Sequence, residues 1–124
     1  MRSFFPALTG AVLSVLPVAA LADMALLMAE EDGCMWCARW DAEISDIYPK
    51  TPEGQAAPLQ RIDIHHPLPG NVALNRPLHF TPTFVLLDDG HEIGRIEGYP
   101  GEDFFWGLLG VLLRDAGVPL ETSG

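Results

Sequence analysis

The fold of this chain is decided by one stretch, MALLMAEEDGCMWC, which spans residues 24–37. Its first five residues are all apolar, and such a run is typical of a buried β-strand. The polar residues 30–33 then predict a turn, and a helix is expected to begin near Cys34. The stretch therefore predicts a strand that leads through a turn into a helix, with Cys34 and Cys37 in the first helical turn.

The helix that begins near Cys34 is predicted to have one apolar face. Apolar side chains recur along it at steps of three and four residues, namely Cys37, Trp40, Ile44, Ile47 and Tyr48. This spacing places them on one side of a helix, so that Trp40 is expected to pack in the core. Pro49 is predicted to end the helix, because proline lacks the N–H that a helical turn requires.

The middle of the chain predicts one strand between two irregular segments. Residues 50–58 are expected to form a loop. Residues 59–64 alternate apolar and polar side chains, which is typical of a half-buried strand. Residues 65–77 are rich in Pro, Gly and Asn and are predicted to be a linker, with one short helical turn near residues 72–75.

The second half of the chain predicts two strands and a helix. Residues 83–87 form an apolar strand, residues 88–90 a hairpin turn, and residues 92–97 an alternating return strand. A helix is predicted over residues 102–116, with a buried stripe of Phe105, Leu108, Leu109, Leu112 and Leu113. The helix between the first two strands indicates a parallel pair, and the hairpin adds antiparallel strands. The chain is therefore predicted to be an α/β domain with a mixed four-stranded sheet and flanking helices.

Residues 1–22 are typical of an export signal. A single positive charge, Arg2, precedes a mostly apolar run that ends in a small-x-small cleavage signature at residues 20–22. An uncleaved membrane anchor is the alternative, because the run is nearly long enough to cross a bilayer. We expect cleavage, which leaves one domain of residues 23–124 in a compartment where disulfides persist.

The charge of the chain excludes some classes of partner. The net charge is −10, and removal of residues 1–22 takes away Arg2 and no acid, which leaves −11. Such an acidic balance argues against binding to nucleic acid or to anionic membrane surfaces. It does not identify a partner, because an acidic surface is most often a solvated one.

Cys34 and Cys37 are the candidate catalytic residues. At a helix N-terminus, free N–H groups and the helix dipole favour a thiolate, which makes Cys34 a ready nucleophile. Cys37 lies one turn further on the same face, and this spacing suits a disulfide in one redox state and two thiols in the other. We expect Cys34 to be the exposed attacking thiol and Cys37 the shielded resolving thiol, with the Cys34–Cys37 disulfide acting without any cofactor.

Two other interpretations of the cysteine pair remain open. A purely structural disulfide would close a very small loop, for which chain entropy predicts only roughly 2 kcal/mol of stabilisation. A metal site would need further ligands, and the histidines at positions 65, 66, 79 and 91 show no paired spacing with the cysteines. Redox chemistry is therefore favoured, and no metal site is predicted.

The acidic residues just before Cys34 oppose its activation. Glu30, Glu31 and Asp32 would disfavour a thiolate at Cys34 if they lie close to it. The helix N-terminus acts in the opposite direction, so the sequence leaves open which effect dominates.

The order of these motifs resembles the thioredoxin superfamily. The resemblance covers the chain beyond residue 22 and rests on C-x-x-C at a strand-to-helix junction, then Thr81-Pro82 opening a strand, a hairpin and a terminal helix. It implies a compact thioredoxin fold, β-α-β-(short α)-β-β-α, in which Pro82 is cis and faces the disulfide. It also implies that the backbone beside Pro82 pairs with an extended substrate.

Within that superfamily, the chain more closely resembles the small periplasmic thioredoxins of bacterial sulfur-oxidation (Sox) operons, the SoxS type. This similarity lies in GCMWCARWD (33–41), FTPTFV (80–85) and GYPGEDFFW (98–106). It implies a periplasmic thiol–disulfide reductase that keeps a cysteine of a partner, such as a Sox carrier protein, reactive. It further implies a membrane thiol reductase as the electron donor.

The chain departs from general thioredoxins at the active site. Met35 and Trp36 replace the usual Gly-Pro, and Met28 lies where thioredoxin has a buried Asp that assists the second cysteine. Proton transfer from Cys37 would then need water or Glu31. Trp36 is expected to contact the substrate, whereas Tyr99 could be a core or a contact residue.

Three alternative functions remain open at this stage. The first is a disulfide-forming oxidase, which would be distinguished by its reduction potential. The second is a regulatory binding module that keeps the fold without the activity. The third is a metal carrier that uses Cys34, Cys37 and a histidine.

Overall fold

The computed structural model describes residues 2–15 and 23–120. Within them it places four strands, three α-helices, one π-helical turn and one 3-10 turn. In chain order these are β1 (Met24–Glu30), α1 (Met35–Trp40), the π-helical turn (Asp41–Ser45), the 3-10 turn (Tyr48–Lys50), α2 (Pro52–Ala56), β2 (Leu59–Asp63), β3 (Thr83–Asp88), β4 (His91–Glu97) and α3 (Glu102–Asp115).

The predicted N-terminal signal lies only partly in the described region. Residues 2–15 are exposed and form neither helix nor strand, while the predicted cleavage signature at residues 20–22 falls outside the described residues. None of the helices in residues 2–15 and 23–120 is long and apolar enough to cross a membrane.

The four strands form one mixed sheet in the order β2-β1-β3-β4. β1 pairs in parallel with β2, and α1 lies within the connection between them. β3 runs antiparallel to both β1 and β4. The mixed sheet that the sequence predicts is therefore confirmed, with β1 at a central position, so that its end is held by neighbours on both sides.

The predicted hairpin turn is confirmed. Asp89 and Gly90 are the two turn residues between β3 and β4, and their φ angles are +48° and +83°. Positive φ at both positions is the pattern of a type I′ turn, whose twist matches that of paired strands. Asp89 also donates its backbone N–H to the carbonyl of Asp23 at 2.9 Å, which fixes the start of β1.

The main core lies between one face of the sheet and the helices. Trp40 from α1 is fully buried at its centre, as predicted. Its ring centroid lies 5.3 Å from that of Phe84 on β3 and 5.8 Å from that of Phe105 on α3. These tilted and edge-on contacts are the favourable geometries for aromatic pairs. The aromatic cluster therefore ties the helix that follows Cys34 to the sheet and to α3.

The helix after Cys34 is not the uninterrupted α-helix that the sequence predicts. After Trp40 the backbone changes to a π-helical turn over Asp41–Ser45, followed by the 3-10 turn. A π-turn accommodates extra residues per turn and shifts the helical phase. Tyr48 consequently remains buried, whereas Ile47, predicted on the apolar face, is 46% exposed.

Two predictions about short helices were wrong. The predicted loop 50–58 contains α2, which Thr51 caps by accepting the Gly54 N–H on its hydroxyl at 3.0 Å. A Thr cap followed by Pro is a helix-start signal, and it was overlooked. The helical turn expected near residues 72–75 is replaced by a bridge between Ala73 and His91, so the short helix precedes β2 instead of following it.

The predicted helix 102–116 is confirmed as α3, with a narrower buried stripe than expected. Phe105, Leu109 and Leu113 are fully buried, whereas Leu108 is 44% exposed. Carboxylates in the first turn suit the helix dipole, as predicted. Gly117 ends the helix with a φ of +74°, a conformation that glycine adopts without strain.

We predict opposite effects of alanine at two helical glycines. At Gly54 an added Cβ would overlap the carbonyl oxygen of Tyr48, whereas at Gly107 on α3 it would meet nothing within 4 Å. Gly54→Ala should lower the free energy of unfolding by about 1–3 kcal/mol. Gly107→Ala should raise it by about 0.5–1 kcal/mol. Urea unfolding of the disulfide form measures both changes, and equal effects of the two substitutions would contradict the close approach at Gly54.

Candidate active site

The two cysteines are brought together where β1 leads into α1. The chain turns after β1 with Gly33 at a φ of +76°, and the Cys34 N–H donates to the carbonyl of Glu31 at 3.3 Å. Cys34 caps α1, and its sulfur accepts the Cys37 N–H at 3.1 Å. The two residues form a disulfide with their Cα atoms 5.2 Å apart. The strand, turn and helix therefore put both sulfur atoms at one junction, as the sequence predicts.

The two cysteines differ in exposure. Cys37 is 5% exposed and belongs to the main core, while Cys34 is only partly buried at its edge. The residues between them project outward, since Met35 is 72% exposed and Trp36 46%. An incoming molecule can therefore approach the Cys34 side of the disulfide and meets Met35 and Trp36 beside it.

Thr81 lies near Trp36 in the structure, and Pro82 follows it in the chain. The Thr81–Pro82 peptide bond is cis, and Pro82 is buried. Thr81 lines a groove of about 510 Å³ together with Trp36, His79, Phe80, Glu97 and Gly98. Phe80 is 57% exposed there. The groove thus offers an apolar surface next to the disulfide segment, and Phe80 and His79 are lining residues that the sequence reasoning had missed.

A second cavity of about 490 Å³ borders the cysteines, and its lining is rich in acidic residues. Cys34, Met35 and Cys37 line it together with Gly33, Ala38 and the acids Glu30, Glu31, Asp32 and Asp41. The acidic segment before Cys34 therefore does lie close to the disulfide. The sequence indicated the three acids before Cys34 but not Asp41, which follows α1 and so lies on the other side of the cysteines in the chain.

Two of these four acids are paired with a cation, Arg61. Arg61 on β2 binds Glu30 at 2.6 Å and Asp41 at 2.5 Å, and it also donates to Ser45 at 2.9 Å. Its guanidinium lies 5.5 Å from the centroid of the Trp40 ring, within cation–π range. Two of the four carboxylates in the cavity are thus already paired, which weakens their repulsion of a thiolate at Cys34.

Glu31 is held by residues from two other segments. Its carboxylate accepts the hydroxyl of Thr81 at 2.7 Å and lies 2.7 Å from Nε2 of His65. The hydrogen bond from Thr81, followed by that from His65, lowers the pKa of Glu31. No sequence spacing links these three residues, since they lie 34 and 50 positions apart.

Met28, which the family resemblance aligns with a buried Asp, belongs to the same core cluster as Cys37. It is fully buried, and its register partners are Phe84 on β3 and Arg61 on β2. A thioether can neither take up nor release a proton, so Met28 offers Cys37 no base. Glu31 remains as a carboxylate in the cavity that Cys37 lines.

Tyr99 packs in the core, which decides between the core role and the contact role that the sequence left open. It is 7% exposed, and its ring centroid lies 6.3 Å from that of Phe105. Burial, with the nearby carboxylates of Glu43 and Glu102, raises the pKa of Tyr99 to about 12. Tyr99 therefore supports α3 rather than forming part of the exposed surface around Trp36.

The donor atoms around the disulfide do not form a metal-binding cluster. Across residues 2–15 and 23–120, no group of three or more His, Cys, Asp or Glu side chains is arranged to hold a metal ion. His65 is engaged with Glu31, which lines the acidic cavity. The chemistry that the arrangement supports is exchange at the two sulfur atoms.

A solved structure resembles this chain over nearly its whole domain. It is the crystal structure of the periplasmic thioredoxin SoxS from Paracoccus pantotrophus in its reduced form, which is 57% identical in sequence. The match covers 75% of this chain and 98% of that one, with a TM-score of 0.74. No family model and no curated protein matches the chain.

This similarity confirms the thioredoxin fold, which here consists of the mixed sheet and its flanking helices. The identity is high enough, over enough of both chains, to show family membership. Combined with the Cys34–Cys37 disulfide, it also identifies the class of chemistry. The chain belongs to the family of the periplasmic thioredoxin SoxS and is a thiol–disulfide oxidoreductase.

Proposed function

We propose that the protein works as a periplasmic reductase that keeps a cysteine of a partner protein in its reduced, reactive state. The observation that carries the proposal is the asymmetry of the pair: Cys34 is accessible at the edge of the core, and Cys37 is buried behind it. The relative is a periplasmic thioredoxin, and residues 1–22 have the pattern of a cleaved export signal. Both support a periplasmic location.

The proposed reaction starts from the dithiol form. The Cys34 thiolate attacks one sulfur of a target disulfide, forms a mixed disulfide with it and expels the other target sulfur as a thiolate. Cys37 then loses its proton and attacks the sulfur of Cys34, which releases the second target thiolate and forms the Cys34–Cys37 disulfide. The target gains two electrons and, after protonation of its thiolates, two protons.

The substrate is proposed to bind along the groove between Trp36 and Thr81. The structure records no hydrogen bond to the backbone of Thr81 within residues 2–15 and 23–120, so its peptide groups are free to pair with an extended substrate. Trp36 and Phe80 would contact apolar side chains of that substrate. Buried Pro82 would hold the backbone of Thr81 in place, as the family resemblance implies.

The partners are proposed from the same family resemblance. The disulfide form must be reduced again, and the periplasm has no reducing buffer, so a membrane thiol reductase is the proposed electron donor. The proposed target is a protein thiol of the sulfur-oxidation (Sox) system, such as that of a carrier protein. The acidic net charge of −10 also argues against nucleic acid as a partner.

A disulfide-forming oxidase is the second candidate, and one observation favours it. The sulfur of Cys34 accepts the Cys37 N–H at 3.1 Å, and such a bond stabilises a thiolate at Cys34. A more stable thiolate makes the dithiol form more stable and the disulfide more oxidising. The carboxylates in the neighbouring cavity act in the opposite direction, which favours the reductase.

We predict that Cys37→Ala traps substrates and Cys34→Ala does not. Without Cys37 the mixed disulfide on Cys34 cannot be resolved, so it should accumulate with target proteins from a periplasmic extract. Non-reducing gel electrophoresis and mass spectrometry would detect the complexes. Equal trapping by the two variants would contradict the assigned roles of Cys34 and Cys37.

We predict that the protein catalyses reduction of insulin by dithiothreitol and that Cys34→Ser lowers this rate to the uncatalysed level.

Titration against glutathione would give the reduction potential of the Cys34–Cys37 disulfide. A value near that of thioredoxin, about −270 mV, supports the reductase, and one near the oxidising limit of about −120 mV supports the oxidase. Partner binding that survives Cys34→Ser, together with absence of insulin reduction in the parent protein, would instead indicate a binding module.

A further inference from the structure

Glu31 lies where the three chain segments around the active site meet. Its backbone carbonyl accepts the N–H of Cys34 at 3.3 Å, which closes the turn before α1. Its two carboxylate oxygens engage Thr81 and His65, each at 2.7 Å. Thr81 precedes Pro82, and His65 follows the end of β2. One side chain thus joins the disulfide segment to the segment proposed to bind the substrate.

The bond between Glu31 and Thr81 connects the two cavities that flank the disulfide. Glu31 lines the acidic cavity with Cys34 and Cys37, and Thr81 lines the groove with Trp36. Hydrogen bonds to an ionised carboxylate are among the stronger ones in proteins. Since Thr81 lowers the pKa of Glu31, the carboxylate is ionised at neutral pH and keeps this strength.

We propose that Glu31 is a positioning residue that acts through Thr81. Its carboxylate holds the hydroxyl of Thr81 and so fixes the distance between the substrate-pairing backbone at Thr81 and the sulfur of Cys34. A peptide bound along the groove then presents its disulfide to Cys34 in one register. This inference rests on the proposed function, because it concerns how a peptide substrate is aligned for thiol exchange.

A matched control for the charge of Glu31 lies next to it in the chain. Asp32 lines the same acidic cavity and is exposed. Within the described residues its side chain makes no hydrogen bond or ion pair. Asp32→Asn therefore removes one negative charge beside the cysteines and leaves Thr81 untouched. Glu31→Gln removes the same charge, but its side-chain oxygen still accepts the Thr81 hydroxyl.

The test compares two substrates in the reduced full-length protein. Insulin has a peptide backbone that can pair with Thr81, and 2-hydroxyethyl disulfide has none. Glu31→Ala and Thr81→Val should each raise the insulin concentration at half-maximal rate about tenfold. The double variant should be no more impaired than either single variant, because both changes break the same bond. Rates with 2-hydroxyethyl disulfide should fall less than rates with insulin in each of these variants, because this substrate has no backbone to pair with Thr81.

The two conservative variants separate positioning from charge. Glu31→Gln should bind insulin as the parent protein does, and Asp32→Asn should have no larger effect than Glu31→Gln. Urea unfolding of each variant would establish that the comparison is made between folded proteins. Thr81→Val and Glu31→Gln preserve side-chain shape, so the inference can be tested even if Glu31→Ala does not fold.

Several outcomes would overturn the inference. Equal slowing with both substrates would mean that Glu31 acts on the thiols themselves, and failure of Glu31→Gln to retain insulin binding would exclude the hydrogen-bond role. Additive effects of Glu31→Ala and Thr81→Val would show that the two residues act separately. If the parent protein reduces neither substrate, the proposed function is wrong and the inference falls with it. If the parent protein reduces insulin and the variants do so equally well, only the inference about Glu31 and Thr81 is overturned.

Discussion

The turn between β1 and α1 is the constraint on which the rest of the site depends. Gly33 takes a positive φ there, and the Cys34 N–H bonds to the carbonyl of Glu31, so the helix begins directly after the strand. Cys34 becomes the cap of α1 and Cys37 lies one turn further, with 5.2 Å between their Cα atoms. Because β1 is a central strand paired on both sides, this junction is fixed within the sheet. A partly exposed sulfur and a buried one follow from that geometry.

Three of the four acidic side chains in the cavity beside the disulfide have side-chain partners. Arg61 pairs with Glu30 and Asp41, and His65 and Thr81 engage Glu31. Repulsion between like charges is strong only where neither is compensated. The acidic segment before Cys34 therefore also stabilises the tertiary structure, because its carboxylates bind side chains of β2 and of the segment before β3.

Met28 adds no proton-accepting side chain to the core cluster that contains Cys37. Met28 is fully buried in the same core cluster as Cys37. Glu31, in contrast, is partly exposed and lines the acidic cavity beside the disulfide. The two cavities on either side of the disulfide segment are correspondingly different: one is acidic, and the other carries Trp36 and Phe80.

The sequence by itself determined the strands, the hairpin at Asp89 and Gly90, the terminal helix and the cysteine pair. These features depend on local patterns, namely periodic apolar residues, turn-forming residues and a fixed spacing of two cysteines. The π-helical turn over Asp41–Ser45 departs from the regular helical spacing on which the sequence prediction rests, whereas the cap at Thr51 is itself a local sequence signal. Only the tertiary structure decided the bonds of Glu31 to Thr81 and His65 and those of Arg61 to Glu30 and Asp41. Such contacts join residues 20 to 50 positions apart, and a chain shows them only after its strands have been aligned in register.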